Sequence, residues 1–236
     1  MQSAAPNARE QQILMLWERG AGLNRWARDD ALLAAIGAQS DRLGARNSAL
    51  LSLRSRLFDR PWPLKSCCPE CGTECEFEAD SSGLAEALLE LPLAEEADVE
   101  INGQKIHLRA PTARDIRILS MKDRDGAVCA LLGLCVSPPC EPAHFDSDAL
   151  VELSTLLERL DPGALVSFSL SCPACHHAWS SDIDVGEAVW SEVQRAAERI
   201  FVEIDVLARA YGWTEAEVLD MSAIRRAAYL QLAGIA

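Results

Sequence analysis

Apolar residues recur every three or four positions over most of the chain, which is the spacing of helices with one buried face. Asn7 is expected to open the first helix, because Glu10 follows at the capping-box spacing. Helices are predicted over the ranges 7–19, 24–36, 45–58, 84–91, 113–121, 126–136, 147–160 and 186–211.

The last of these helices has an unbroken apolar stripe, with Gly212 as its expected end. Thr214 and Ser222 have the sequence context of caps for two short helices that follow. The stripe suits either the protein's own core or a partner, and its residues are Val189, Val193, Ala197, Ile200, Ile204, Leu207 and Tyr211.

Alternation of polar and apolar residues predicts a few short strands between the helices. Residues 97–111 are typical of a hairpin, because Asn102-Gly103 is a preferred two-residue turn. A strand is predicted at 76–78, and two more at 165–171 and 178–185. These strands flank two cysteine-containing loops.

Nine cysteines are present, and four of them form two matching loops. Cys68 and Cys71 lie in CPECG, and Cys172 and Cys175 lie in CPACH. A Cys-x-x-Cys loop turns both sulfurs toward one point, and two such loops supply the four tetrahedral ligands of a structural Zn²⁺ site. Four thiolates leave no position for water, so the predicted zinc is structural rather than catalytic.

The remaining cysteines have other interpretations. Cys67 and Cys75 lie beside the first loop and compete as ligands, and so does His176 beside the second. Cys129, Cys135 and Cys140 lie in or near an apolar run and are interpreted as packing residues. An odd number of cysteines also argues against a disulfide framework.

One hundred residues, 72–171, separate the two loops, so the middle of the chain is predicted to be an insertion that leaves and returns to the metal. The expected fold class is α+β: mainly helical, with a small antiparallel zinc-ribbon sheet interrupted by a long hairpin and helical insertion. The predicted parts are a helical region at 1–63, a split ribbon at 64–79 plus 164–185, the insertion at 80–163 and a C-terminal helical region at 186–236.

Charge and motif content narrow the function. The net charge is −14, from 36 acidic and 22 basic residues, which disfavours a phosphate backbone as partner. No apolar run approaches the ~20 residues that span a bilayer, and the start lacks a signal-peptide pattern, so a soluble cytoplasmic protein is expected. The sequence lacks nucleotide-binding, hydrolase and zinc-protease motifs. Redox Cys-x-x-Cys motifs usually begin a helix, whereas strands are predicted after both loops of this chain. A non-enzyme is therefore predicted.

Several stretches resemble a known family. They are GARNSALLSLRSRLF at 44–58, CPECG, then LVSFSLSCPACHHAWSSDIDVGEAVWSEV at 165–193, and EIDVLARAYGWTEAEVLDMSAIRRAAYLQL at 203–232. Together these stretches are similar to the zinc-ribbon baseplate proteins and baseplate hub assembly chaperones of contractile phage tails and extracellular contractile injection systems.

The resemblance implies a non-catalytic role in building or forming a baseplate, through contact with other tail proteins. It leaves open whether the protein stays in the finished particle. Aromatic and large apolar residues are enriched at interfaces, so the candidate partner contacts are Trp213, Leu219, Ile224 and Tyr229. Their alternative is local packing of the last two helices. The alternative function is a zinc-ribbon nucleic-acid or transcription-associated module, which the net charge disfavours.

Overall fold

The structure is a computed structural model, which describes residues 6–92, 94, 96–101, 103–119, 124–137 and 146–234. It is a mixed α and β structure with small antiparallel sheets, as the α+β prediction expected. The chain divides into two compact units. Unit 1 contains the described parts of Met1–Ile36, Arg56–Asp59 and Gly186–Ala236, and unit 2 contains those of Gly37–Ser55 and Arg60–Val185. The four-part division by sequence stays a prediction.

Unit 1 is built from helices. In chain order they are α1 (Pro6–Gly20), α2 (Arg25–Ala35), α8 (Val185–Tyr211), α9 (Glu215–Asp220) and α10 (Ala223–Leu232). The first part of α8 is the centre of this unit, because Val189, Val193 and Ala197 are fully buried. The ring of Trp17 on α1 meets Phe201 on α8 edge-on at 4.9 Å.

Two glycines allow close approach to α8. A Cβ on Gly20 would lie 2.3 Å from the ring of Trp190, and one on Gly186 would lie 2.4 Å from the carboxylate of Asp29. Both distances are far below van der Waals contact, so a larger residue at either position would force Trp190 or Asp29 to move. Asp29 thereby comes against the first turn of α8, where the helix dipole favours a negative charge.

A buried ion-pair network joins three helices of unit 1. The guanidinium of Arg226 on α10 donates to Glu10 on α1 and, over 3.1 Å, to Glu203 on α8. It also donates to the carbonyl of Met221 over 3.0 Å. Only 2% of the Arg226 side chain is exposed, and a buried charge of this kind is tolerated only when fully paired.

Among the described residues, unit 2 contains seven short strands, four whole helices and most of a fifth. The strands are β1 (Trp62–Cys67), β2 (Glu74–Ala79), β3 (Glu96–Ile101), β4 (Gln104–Arg109), β5 (Val136–Ser137), β6 (Val166–Ser171) and β7 (Ala178–Ile183). The helices are α3 (Leu43–Leu57), α4 (Ser81–Glu90), α5 (Ala113–Leu119), α6 (Arg124–Cys135) and α7 (Ser147–Leu160), with α3 ending just inside unit 1.

The strands form three antiparallel sheets: β1–β2, β3–β4–β5 and β6–β7. The sheet that contains β4 packs on the apolar side of α7 and α6. Its core includes Ile106, Leu108, Leu132 and Leu153, each at most 1% exposed. This sheet and its helices lie between the two cysteine loops in sequence.

An ion pair in unit 2 links β4 to α5. The guanidinium of Arg109 on β4 makes two hydrogen bonds to Asp115 on α5, of 2.7 and 2.9 Å. Thr112 adds its backbone N–H and its hydroxyl to the same carboxylate. Burial of Asp115 acts to raise its pKa, but these donors outweigh it and hold the pKa at about 2.

The predicted helices and strands agree closely with the structure where residues are described. Two strands were not predicted. β1 contains Pro63, and a proline argues against a strand in sequence alone, but it is tolerated in the edge strand of a two-stranded sheet. β5 is a two-residue strand directly after α6, where the helical pattern continues. No helix of the described residues has both the length and the apolar composition that crossing a membrane requires.

Candidate metal centre

Each cysteine loop is the turn of a two-stranded hairpin. In the first hairpin, the N–H of Cys68 donates to the carbonyl of Thr73 and the N–H of Gly72 donates to the carbonyl of Cys68, both over 2.9 Å. In the second, the N–H of Cys172 donates to His177 over 2.9 Å and the N–H of His176 donates to Cys172 over 3.0 Å. The two loops therefore have the same backbone hydrogen bonds.

The two hairpins are equivalent along their whole length. β1 begins at residue 62 and β6 at 166, β2 begins at 74 and β7 at 178, and Cys68 and Cys172 are also separated by 104 residues. The residue after the second cysteine has a positive φ in both loops, 71° at Gly72 and 59° at His176. The structure thus contains one hairpin motif twice, although the sequences agree only in Cys-Pro-x-Cys.

The two hairpins bring all four predicted sulfurs together. The Sγ atoms of Cys68, Cys71, Cys172 and Cys175 all lie within 4.8 Å of one another. Cys68 and Cys175 are 3.7 Å apart, and Cys71 and Cys172 are 3.6 Å apart. Tetrahedral coordination with Zn–S bonds of about 2.3 Å places sulfurs roughly 3.8 Å apart, whereas a disulfide needs about 2.05 Å. The spacing therefore fits four ligands of one tetrahedral ion.

The sulfur contacts follow the equivalence of the hairpins. Exchanging each residue with its counterpart converts the pair Cys68–Cys175 into the pair Cys172–Cys71. Each loop supplies one buried and one exposed cysteine in the same order. The site is therefore a pseudo-twofold arrangement, in which each loop provides half of the coordination shell.

Contacts between the two sheets hold the loops in place. The hydroxyls of Ser66 on β1 and Ser181 on β7 form a 2.8 Å hydrogen bond. The rings of Phe77 on β2 and Phe168 on β6 lie 5.2 Å apart. The distance between the sulfurs is thus supported by packing behind them, as a metal site needs.

Electrostatics within the cluster favour a cation. The backbone N–H of Cys175 lowers the pKa of Cys172 to about 6 against the effect of burial, and the N–H of Ala174 helps. The N–H of His177 acts to lower the pKa of Cys175, but burial and three neighbouring sulfurs raise it to about 12. Four thiols this close cannot all ionise by themselves, whereas a divalent ion allows all four to be thiolates.

The competing ligands lie outside this group. Cys75 is buried against Cys68 and Cys172, where burial raises its pKa, but it is not one of the four clustered ligands. Cys67 is exposed on β1, and His176 is exposed after the second loop. Among the packing cysteines, Cys135 is buried in the core of the insertion and Cys129 is half-buried, while Cys140 lies outside the described residues.

The candidate partner contacts differ in exposure. Ile224 on α10 is 84% exposed, whereas Leu219 is half-buried. The rings of Trp213 and Tyr229 lie 4.8 Å apart, and both contact the ring of Tyr211. Trp213 and Tyr229 therefore pack on each other to a large extent. This is what the alternative interpretation, local packing of the last two helices, expects of them.

Comparison of this chain with family models, curated proteins and solved structures finds no match. The site is therefore classified from its geometry alone. It is a four-cysteine cluster that could bind a metal ion, in an α+β protein.

Proposed function

We propose that this protein is a non-catalytic component or assembly factor of a contractile-tail baseplate, with one structural Zn²⁺ bound by Cys68, Cys71, Cys172 and Cys175. The observation on which the proposal depends is the convergence of four sulfurs from two equivalent Cys-Pro-x-Cys loops. Zinc is the proposed ion because it favours tetrahedral thiolate sites and suits two-loop ribbons.

A structural role for the ion follows from the ligand count. Four protein thiolates fill a tetrahedral shell and leave no open position at which water or substrate could bind. The ion would instead cross-link two cysteine loops that are separated by one hundred residues, 72–171, so that metal binding and folding are coupled.

The assembly role rests on resemblance together with surface properties. The GARNSALLSLRSRLF, CPECG, CPACH and AYGWTEAEVL stretches are similar to baseplate proteins and hub assembly chaperones. Ile224, which lies in the longer similar stretch at 203–232, is among the most exposed large apolar side chains of the described residues. An exposed apolar side chain of this size suits contact with another protein.

The metal can be tested on the purified full-length protein. Native mass spectrometry before and after chelation should give one ion per chain, and elemental analysis should identify it as zinc. A protein that folds with four free thiols and binds no zinc at stoichiometric concentration would contradict the metal assignment.

The assembly role needs a separate experiment in cells that make the protein naturally. Deleting the gene should reduce the number of complete baseplates, and the wild-type gene on a plasmid should restore it. Quantitative mass spectrometry of purified particles then separates the two versions, since a component is present at fixed stoichiometry and an assembly factor is missing. Baseplates of normal number and composition after deletion would exclude both.

A further inference from the structure

Two of the four clustered cysteines are accessible from solvent. Cys71 and Cys175 occupy equivalent positions in the two loops and are exposed, whereas Cys68 and Cys172 are buried. A reagent from solvent therefore reaches the sulfur of Cys71 or of Cys175 before it reaches the other two. Exposure alone does not decide between these two sulfurs, so the groups around each of them do.

The backbone contacts of the two exposed sulfurs are equivalent. The N–H of Thr73 donates to Cys71, and the N–H of its counterpart in the second loop, His177, donates to Cys175. Each donor lies two residues after its cysteine. Contacts of this kind orient a metal ligand and stabilise its charge. The backbone therefore supports both exposed ligands in the same way.

The side chains at these counterpart positions differ. The hydroxyl of Thr73 lies 3.2 Å from the sulfur of Cys71, and it donates to this sulfur once the thiol has become a thiolate. The imidazole of His177 is instead nearly parallel to the ring of Trp179, with 6.4 Å between the ring centroids. Within the described residues, only the backbone N–H of His177 donates to Cys175. Cys71 therefore has a side-chain donor that Cys175 lacks.

Backbone conformation also distinguishes the two ligands. The residue directly after Cys175 is His176, whose φ of 59° is left-handed and costs energy for a residue with a Cβ. The residue after Cys71 is Gly72, which adopts the same conformation without steric cost. Opening the second loop lets His176 relax, and opening the first loop relieves no such strain. Cys175 is thus the more weakly held of the two exposed ligands.

The missing donor also affects reactivity. A hydrogen bond to a thiolate stabilises its negative charge and lowers its nucleophilicity. Of the two accessible sulfurs, Cys175 is therefore the better nucleophile. Alkylation converts a thiolate into a neutral thioether, so reaction at Cys175 would leave the ion with three thiolate ligands.

We propose that the metal site opens at Cys175, which electrophiles of the α,β-unsaturated carbonyl class modify before the other three ligands, so that loss of the ion begins at the second loop. Cys175 is then a modification site, and Thr73 is a positioning residue that protects Cys71. Loss of the ion removes the link between the two loops, which makes this link sensitive to such electrophiles. The proposal rests on the zinc assignment made above and does not depend on the baseplate role.

The test uses the full-length protein loaded with one Zn²⁺ per chain, and N-ethylmaleimide as the electrophile. The sulfur attacks an alkene carbon, a C–S bond forms as the π bond breaks, and the neighbouring carbon takes a proton from water. Peptide fragment spectra give the labelling rate of each cysteine, and a zinc-sensitive dye records the released ion. Cys67 is exposed and is not one of the four ligands, so it is the internal reference for access of the reagent.

The wild-type protein should show the order of reaction directly. We expect Cys175 to be labelled about tenfold faster than Cys71, which is the lower end of the effects that outer-shell partners have at metal sites. Release of one ion per chain should follow the labelling of Cys175. The labelling rate of Cys67 should not depend on the metal.

Exchange of the counterpart side chains tests the cause of this order. Thr73→Val should raise the labelling rate of Cys71 about tenfold, whereas Thr73→Ser keeps the hydroxyl and should leave that rate low. His177→Thr places a hydroxyl beside Cys175 and should slow its labelling. The variants are compared at equal zinc content and at an equal labelling rate of Cys67.

Two results would overturn the inference: labelling of Cys71 at least as fast as that of Cys175 in the wild type, or rates at both cysteines that neither exchange alters. The first result needs no variant, so it decides even when a variant fails to fold. A chain that binds no zinc contradicts the zinc assignment and the inference together, and this is seen before any reagent is added. A zinc-loaded chain that reacts first at Cys71 contradicts only the order of opening.

Discussion

His176 has a side chain at a position whose backbone favours glycine. Its φ is 59°, the only positive value at a non-glycine among the described residues, and its counterpart in the first loop is Gly72. Left-handed backbone costs an ordinary residue roughly 1–2 kcal/mol, partly offset by the greater entropy that glycine loses on folding. The second loop is thus more strained than the first.

Exchanging the residue types should therefore have opposite effects in the two loops. His176→Gly is expected to stabilise the zinc-loaded protein by about 0.5–1 kcal/mol, and Gly72→Ala to destabilise it by a similar amount. An added Cβ at Gly72 meets nothing within 4 Å, so the second effect is purely conformational. Thermal unfolding of both variants, with zinc content measured alongside, checks the signs; the same sign for both would show that the loops are not equivalent.

The buried cysteines of the hairpins are expected to differ sharply in their effect on metal binding. Cys172→Ser should remove most of the bound zinc, because Cys172 supplies one of the four clustered sulfurs. Cys75→Ser should keep the metal, because Cys75 is buried next to the cluster without belonging to it. Elemental analysis of the two purified variants decides, and Cys129→Ala is a further control; loss of zinc in Cys75→Ser would make Cys75 a ligand.

Single residues also show where local patterns mislead. Glu10 has the spacing of a capping box with Asn7, but α1 begins at Pro6 and the carboxylate of Glu10 binds Arg226 instead. A glutamate can serve either in a capping box or in a long-range ion pair, so its position in the sequence does not show which of the two it forms. By contrast, the capping box of Thr214 and Glu217 is present, since Glu217 has no distant partner competing for it among the described residues.

At the scale of elements, helices with a long, regular pattern of apolar residues were easier to predict than short strands. The range predicted for α7 is the observed one, because an N-terminal cap and an apolar face repeat over four turns. β1 was missed because Pro63 interrupts it, and its strand conformation depends on pairing with β2. The sequence of a six-residue strand that contains a proline has too little alternation to identify it. Such a strand can be predicted only when the strand with which it pairs is known.

The link between β4 and α5 gives a pH-dependent prediction for unit 2. The pKa of Asp115 is held at about 2, below its usual 3.8, so its ion pair with Arg109 adds stability above about pH 4. That stability is lost as the pH falls toward 2, and its size is on the order of 2 kcal/mol. The side chain of Asp115 is only 7% exposed, so solvent screens its interaction with Arg109 weakly.

The measurement is the difference in unfolding free energy between wild type and Asp115→Asn, taken by urea titration from pH 6 to pH 2. The difference should be constant above about pH 4 and shrink below it, because a protonated Asp115 resembles asparagine. Using a difference cancels the loss of the proposed zinc, which acid would cause in both proteins alike. A difference that stays constant down to pH 2 would show that Arg109 does not depress this pKa.

At the scale of the whole molecule, the duplicated hairpin was the feature that the sequence concealed. The two halves share only Cys-Pro-x-Cys, and their outward residues differ, with Glu74, Glu76 and Glu78 on β2 and mostly serine on β6 and β7. The four sulfurs could be predicted because metal ligands are fixed by chemistry. The equivalence of the flanking strands could not, since many side chains suit an exposed strand position.

The position of the ion predicts how its removal spreads through the chain. All four cysteines lie in unit 2, where the proposed metal would close a loop of one hundred residues, 72–171. Closing a loop of this length stabilises the folded state by roughly 4–5 kcal/mol in the chain-entropy model. Chelation should therefore loosen unit 2, whereas α8 of unit 1 has its own core of Val189, Val193 and Ala197.

Hydrogen exchange with and without a chelator tests this separation. Amides of β1, β2, β6, β7 and the β3–β4 hairpin should exchange faster without zinc, by up to roughly a thousandfold, since each 1.4 kcal/mol is a factor of ten. Amides in the first turns of α8 should change far less. Equal acceleration in both units would mean that they unfold together, and unchanged exchange in the strands would mean that packing at Phe77 and Phe168 holds the hairpins without any ion.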